Sequence, residues 1–113
     1  MSNHIKIRKA QGVWVVRAGG AVLGETKAAL ELSEGDYPAV IYFPRADIAM
    51  ALLEPSDTAS HCPHKGDARY FSIQARSRLI EDAAWSYETP LDEVGEIAGY
   101  LAFFPDKVTV EQL

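Results

Sequence analysis

Cysteine is almost missing from this sequence: among 113 residues only Cys62 carries a thiol. One cysteine cannot close an internal disulfide, so a reducing compartment is expected. Long apolar runs are missing as well. No segment approaches the ~18 to 20 continuous apolar residues of a membrane helix. The opening MSNHIKIRKA lacks the apolar stretch of a signal peptide. The expectation is a cytoplasmic protein with no membrane partner. Positive charge is in deficit: 11 Lys and Arg stand against 16 Asp and Glu, a net charge of −5. Non-specific nucleic-acid binding needs basic residues to neutralise phosphates, so no nucleic-acid partner is expected. A small local basic pocket remains compatible with that balance. There is no internal repeat and no low-complexity tract.

What is present suits a folded chain. The apolar fraction is 48% and the charged fraction 24%, which is ordinary for a globular protein and unlike a disordered one. Residues 1–113 fit one compact domain.

Turn signals recur every ten residues or so, at Gly12, Gly19-Gly20, Gly35-Asp36, Pro55-Ser56-Asp57, Pro63 to Gly66, Pro90 and Pro105-Asp106. Short runs punctuated in this way predict a β-rich domain. Ile5 and Ile7 alternate with charged residues, and Val13 to Ala18 leads into a Gly-Gly hairpin turn. Thr26 to Leu32 alternates, which predicts a strand with one wet face. Ala39 to Phe43 is continuously apolar and predicts a central strand buried on both faces. Further strands are predicted at Ala68 to Gln74, Ala83 to Tyr87, Tyr100 to Phe104 and Val108 to Val110. One short helix is predicted, capped by Asp47, with Ile48 and Leu52 on one face and Pro55 ending it. Leu91 to Gly99 reads as a second short helix or an irregular loop, because Gly95 and Gly99 each cost a helix about 1 kcal/mol against Ala.

The stretch SHCPHKGDARYF, residues 60–71, concentrates the reactive residue types. A structural zinc site needs about four Cys or His ligands, usually in two separated pairs. Here His61, Cys62 and His64 crowd together, and adjacent residues of an extended segment point to opposite sides. No metal and no cofactor is expected. Cys62 is a candidate nucleophile, because Lys65 or a histidinium nearby would favour its thiolate; the alternative is a small buried hydrophobe. Cys62 and Lys65 are therefore the two catalytic candidates. The P-loop order fails, since Lys65-Gly66 has no upstream glycine and leads into a strand. A tight turn over Pro63 to Gly66 could still present backbone N–H groups and the Lys65 charge to an anion; a solvated loop lysine is the alternative.

Aromatic residues cluster in the middle and end of the chain, and a small β domain needs most of them as core. Tyr42, Tyr70, Tyr87 and Tyr100 carry hydroxyls that need partners if buried, so they are candidates to line a pocket with a polar end. Arg45 and Asp47 flank Pro44's far side, where a strand meets a loop, and join the candidate ligand-binding set of Tyr42, Arg45, Asp47, Cys62, Lys65, Tyr70, Tyr87 and Tyr100.

The segments YFPRADIAMALLEPSDTASHCPHKGDARYF and AAWSYETPLDEVGEIAGYLAFFPDKV resemble the bacterial domain-of-unknown-function family numbered 427, also catalogued as nucleotidyltransferase-like. Its pattern falls on Tyr42 or Phe43 through Asp47, on Thr58 through Tyr70, on Ala84 through Pro90 and on Ile97 through Phe103. The resemblance implies a small, mostly antiparallel β domain of the Mss4-like, or β-tent, kind. Many relatives by fold carry two Cys-x-x-Cys pairs. With one cysteine this chain departs from them, so neither their zinc nor their redox chemistry carries over. The catalogue name does not carry a reaction either. Nucleotidyltransferases hold Mg²⁺ through closely spaced carboxylates, commonly with a Gly-Ser loop, and neither Gly-Ser nor Asp-x-Asp occurs here.

The combined expectation is a domain that binds a small molecule of unknown identity, an anionic one included, in an aromatic pocket between sheets. Lys65, Arg45 and the turn at Cys62 would stand at its polar mouth. An interaction module with an aromatic surface and a nucleotide-processing enzyme are the alternatives, and a homodimer is among the partners considered.

Overall fold

Strand period and turn chemistry account for most of the architecture. Residues 4–113 of the computed structural model are described; residues 1–3, part of the segment scanned for a leader, lie outside them. The alternating start of the chain forms β1 (Ile5–Lys9). The next two strands, β2 (Trp14–Ala18) and β3 (Ala21–Thr26), are joined at Gly19-Gly20 as the pair predicts. They are followed by β4 (Leu30–Glu34), β5 (Val40–Tyr42), β6 (Leu53–Cys62), β7 (Gly66–Gln74), β8 (Leu79–Ser86), β9 (Ala102–Phe103) and β10 (Thr109–Gln112). The protein is mainly β, with no α-helix among the described residues.

The strands make three antiparallel sheets, ordered β1-β4-β5, β10-β2-β3 and β6-β7-β8-β9. Phe43 and Leu101 exchange both backbone hydrogen bonds, at 2.7 and 2.9 Å, and so stitch the β5 edge of the first sheet to the β9 edge of the third. Two apolar clusters result. One gathers Phe43, Leu53, Phe71, Ile73 and Leu101. The other gathers Leu32, Tyr42, Ala68, Tyr87, Val94 and Ile97. Each large side chain fully buried in them contributes about 1.5–3 kcal/mol relative to an exposed one.

Four expectations are corrected. The predicted strand Thr26 to Leu32 is broken: the Thr26 hydroxyl accepts the Ala28 backbone N–H at 2.9 Å and turns the chain. Ala29 is consequently buried and Ala28 exposed, the reverse of the alternation read from sequence. The helix capped by Asp47 does not form. Arg45–Asp47 and Met50–Leu52 are two 3₁₀ turns, because Ile48 bridges Gly24 and the Ala49 N–H bonds the Leu23 carbonyl at 2.8 Å. Sheet pairing in the middle of the segment thus outcompetes helical pairing. Gly24 permits this approach, since a Cβ there would meet the Asp47 carbonyl oxygen at 2.4 Å. Pro55 ends no helix; it lies in β6, an edge strand where a missing N–H is tolerated. Finally, β5 is not buried on both faces: Ala39 is exposed and Val40 and Ile41 are half-buried, because a cavity flanks the strand on each side. The ambiguous Leu91 to Gly99 stretch contains a 3₁₀ segment, Asp92–Ile97.

Candidate functional site

The turn at Pro63 to Gly66 is a hairpin tip between β6 and β7, with Cys62 paired to Gly66. The Lys65 N–H donates to the Cys62 carbonyl at 3.1 Å, and the Lys65 carbonyl accepts the Leu91 N–H at 2.9 Å. Both backbone groups of Lys65 are therefore fixed. Gly66 follows at φ 116°, a conformation that disfavours any residue with a side chain. This turn carries the Lys65 side chain across to the end of β4, where its Nζ donates to Glu34 Oε1 at 2.6 Å. The pair is largely enclosed, with side chains 12% and 18% exposed. His4 Nε2 stands 3.3 Å from the other Glu34 oxygen, and the His64 ring packs edge-on against His4 at 4.8 Å. The hydrogen bond from Lys65 holds the Glu34 carboxyl below its ordinary range, against burial, which acts the other way.

Beside this pair lies a pocket of about 250 Å³ between the first and third sheets. Leu32 and Val40 line it from one sheet; Tyr70 and Trp85 line it from the other, with Tyr87 just past the end of β8 and Phe104 just past β9. Tyr42 lies in its wall, and the strongly exposed Tyr37 stands at its edge. The aromatic walls are mutually braced. Trp85 contacts Phe104 at 4.5 Å between ring centroids, Tyr70 stacks on Phe104 at 6.2 Å, and Tyr42 meets Trp85 edge-on at 6.4 Å. The Trp85 indole N–H donates to the Tyr42 hydroxyl oxygen at 3.3 Å, and the Tyr70 hydroxyl pairs with Ser60 Oγ at 3.0 Å. Burial pushes the Tyr42 phenol up to about 12 and raises that of Tyr87 as well, so both hydroxyls keep their protons at neutral pH.

The structure thus brings Tyr42, Lys65, Tyr70 and Tyr87 together around one cavity. The other sequence candidates stand elsewhere. Arg45 donates to the Gly99 carbonyl at 3.0 Å and pairs with Glu88. Asp47 accepts the Thr26 hydroxyl at 2.7 Å, and Tyr100 is half-buried against the second cluster. Cys62 packs half-buried against that cluster too, and its Lys65 neighbour sends its ammonium to Glu34. His61 turns to Asp67 across the hairpin at 2.7 Å. Glu34, Trp85 and Phe104 were not read as site residues. Glu34 had a signal: it follows Leu30 and Leu32 at period two, so a carboxylate falls on the inward face of a strand.

A family model described as a domain of unknown function (DUF427) matches residues 6–112. The chain belongs to this family. The DUF427 match takes in all ten strands except the first residue of β1, and with them the Glu34–Lys65 pair and every wall of the pocket. No curated protein matches the chain. Among the described residues no helix is long and apolar enough to cross a membrane.

Proposed function

We propose that this DUF427 domain binds a small molecule in the pocket between the first and third sheets. The observation that carries the reading is the make-up of that cavity: braced aromatic walls beside one enclosed ion pair, Glu34–Lys65. Ligand sites are typically apolar and aromatic with a few fixed polar groups that set orientation. At about 250 Å³ the space admits a ring-sized molecule rather than a nucleoside triphosphate. The lysine expected to meet an anion is already paired, so an anionic group would have to displace Glu34 from it. A cytoplasmic setting, supported by the single cysteine, completes the reading.

A thermal-shift screen of small molecules, followed by NMR mapping of the hits, tests it. A native-state ligand raises the unfolding midpoint by mass action. Hits should perturb the amides of Leu32, Tyr42, Tyr70 and Tyr87. Hits confined to the apolar groove on the other side of β5, lined by Trp14, Ile41, Phe103 and Val110, would overturn it. So would a screen that yields no ligand.

A further inference from the structure

The polar groups around the pocket do not all have partners. Tyr87 is 6% exposed and lines the cavity, yet its hydroxyl has no hydrogen-bond partner among the described residues. Among them no fully enclosed side-chain polar atom lacks a partner, so this hydroxyl opens onto space rather than being sealed in protein. Tyr42, 1% exposed, accepts the Trp85 N–H but donates its own proton to no acceptor among the described residues. The two phenols are close enough that charge on one would disfavour charge on the other. Two neutral O–H donors therefore stand in one aromatic pocket without acceptors.

The charges nearby cancel. Lys65 and Glu34 are bound to each other, so an incoming anion meets the carboxylate and an incoming cation meets the ammonium. Either would leave an uncompensated charge in a largely enclosed space, which is costly. An uncharged acceptor meets no such penalty. The size limit points the same way, since a cavity of ~150 Å³ lined by apolar groups already holds benzene. About 250 Å³ leaves room for one ring and one substituent.

We propose that the pocket takes a neutral, planar, ring-bearing ligand whose carbonyl oxygen is received by the Tyr87 and Tyr42 hydroxyls while the ring lies against Trp85 and Phe104. This rests on the reading of the cavity as a ligand site and narrows it to a chemical class.

The test uses three probes that share a ring and differ in charge: benzamide, benzoate and benzylammonium, each titrated into the whole protein and followed by NMR. Benzamide should saturate shifts at Tyr42, Tyr70 and Tyr87 and bind at least about tenfold tighter than either ion, the size of one well-made hydrogen bond. Tyr87→Phe should weaken benzamide about tenfold and leave the melting midpoint unchanged or higher, because the lost hydroxyl has no partner among the described residues. Tighter binding of benzoate or benzylammonium would overturn the neutral-ligand assignment while leaving the pocket reading standing. Unchanged benzamide affinity in Tyr87→Phe would overturn the hydroxyl assignment. Failure of all three probes, when the broad screen still finds pocket ligands, would overturn the chemical class alone; failure of both would overturn the pocket reading itself.

Discussion

Lys65 and Glu34 join two sheets through a single contact: Nζ at the tip of the β6–β7 hairpin lies 2.6 Å from Oε1 at the end of β4. Both side chains are more than four-fifths enclosed, so the contact is neither a free surface pair nor a sealed one. The lysine that the sequence marked for a ligand is thus also part of the fold.

Removing one partner should expose that role. Lys65→Met leaves Glu34 without its ammonium and should destabilise the protein by about 1.5–3 kcal/mol, the range for hydrogen bonds to charged groups. Lys65→Met combined with Glu34→Leu should recover most of the loss, because no orphaned carboxylate remains. Urea denaturation of the three proteins checks it. A single variant as stable as the parent would show that the pair contributes nothing to folding.

The same pair sets an acid limit. The Lys65 hydrogen bond lowers the Glu34 carboxyl in the folded state, so its contribution is present above the ordinary glutamate value and is lost as pH falls through the lower folded value. Asp82, held down by the Ser56 and Thr58 hydroxyls, adds a change of the same sign. Glu34→Gln should therefore lose less of its melting midpoint than the parent between neutral and strongly acid pH. Parallel acid limbs for the two proteins would refute the assignment.

Much of this was legible in the sequence and some was not, for identifiable reasons. Strands with a turn at one end and an apolar period, such as β2, β3 and β7, were readable. The whole of β6 was not. It is an edge strand, mostly exposed, and its polar sequence LEPSDTASHC has no apolar period. Its pairing with β7 slips between Pro55 and Ala59, so the turn signal Pro55-Ser56-Asp57 marks a bulge rather than a turn. The break after Thr26 depends on a hydroxyl reaching a backbone N–H two residues on and a carboxylate 21 residues away. The first contact is local and the second is not, and propensity weighs neither. Within the site, tyrosines could be selected as amphipathic pocket residues. Arg45, read the same way, has its charge committed to Gly99 and Glu88.

Trp85 divides two cavities. It lines both the pocket and the groove on the far side of β5, and it is half-buried between them. Trp85→Ala should cost about 3 kcal/mol, the lower end for truncating a large aromatic, since part of the ring is exposed. Trp85→Phe should recover roughly half of that while losing the N–H contact to Tyr42. Chemical denaturation compares them; an alanine variant of parental stability would place the indole outside the packed structure.

Gly24, in β3, lies directly against the backbone of the Arg45–Asp47 turn. Gly24→Ala pushes a methyl toward the Asp47 carbonyl at 2.4 Å and the Ile48 side chain at 2.6 Å, so it should destabilise by about 1–3 kcal/mol, as overpacking does. Gly95→Ala, with open space at its Cβ, is the control and should change stability by less than about 0.5 kcal/mol. Equal stability of the two variants would mean that β3 and the 45–48 turn separate freely in solution.

The pairing of β10 with β2 sets the order of events during folding. Val110 sits opposite Val16 and Glu111 opposite Val15, so the second sheet joins residues more than ninety positions apart. The β2–β3 hairpin can close early, but its β2 edge stays open until residues 109–112 have been made. Closing such a loop is slow compared with forming local structure. During that interval the Val15–Val16 strand is an unprotected template for pairing with other chains. How long that edge stays exposed is set by the pairing order and not by the stability of the finished fold.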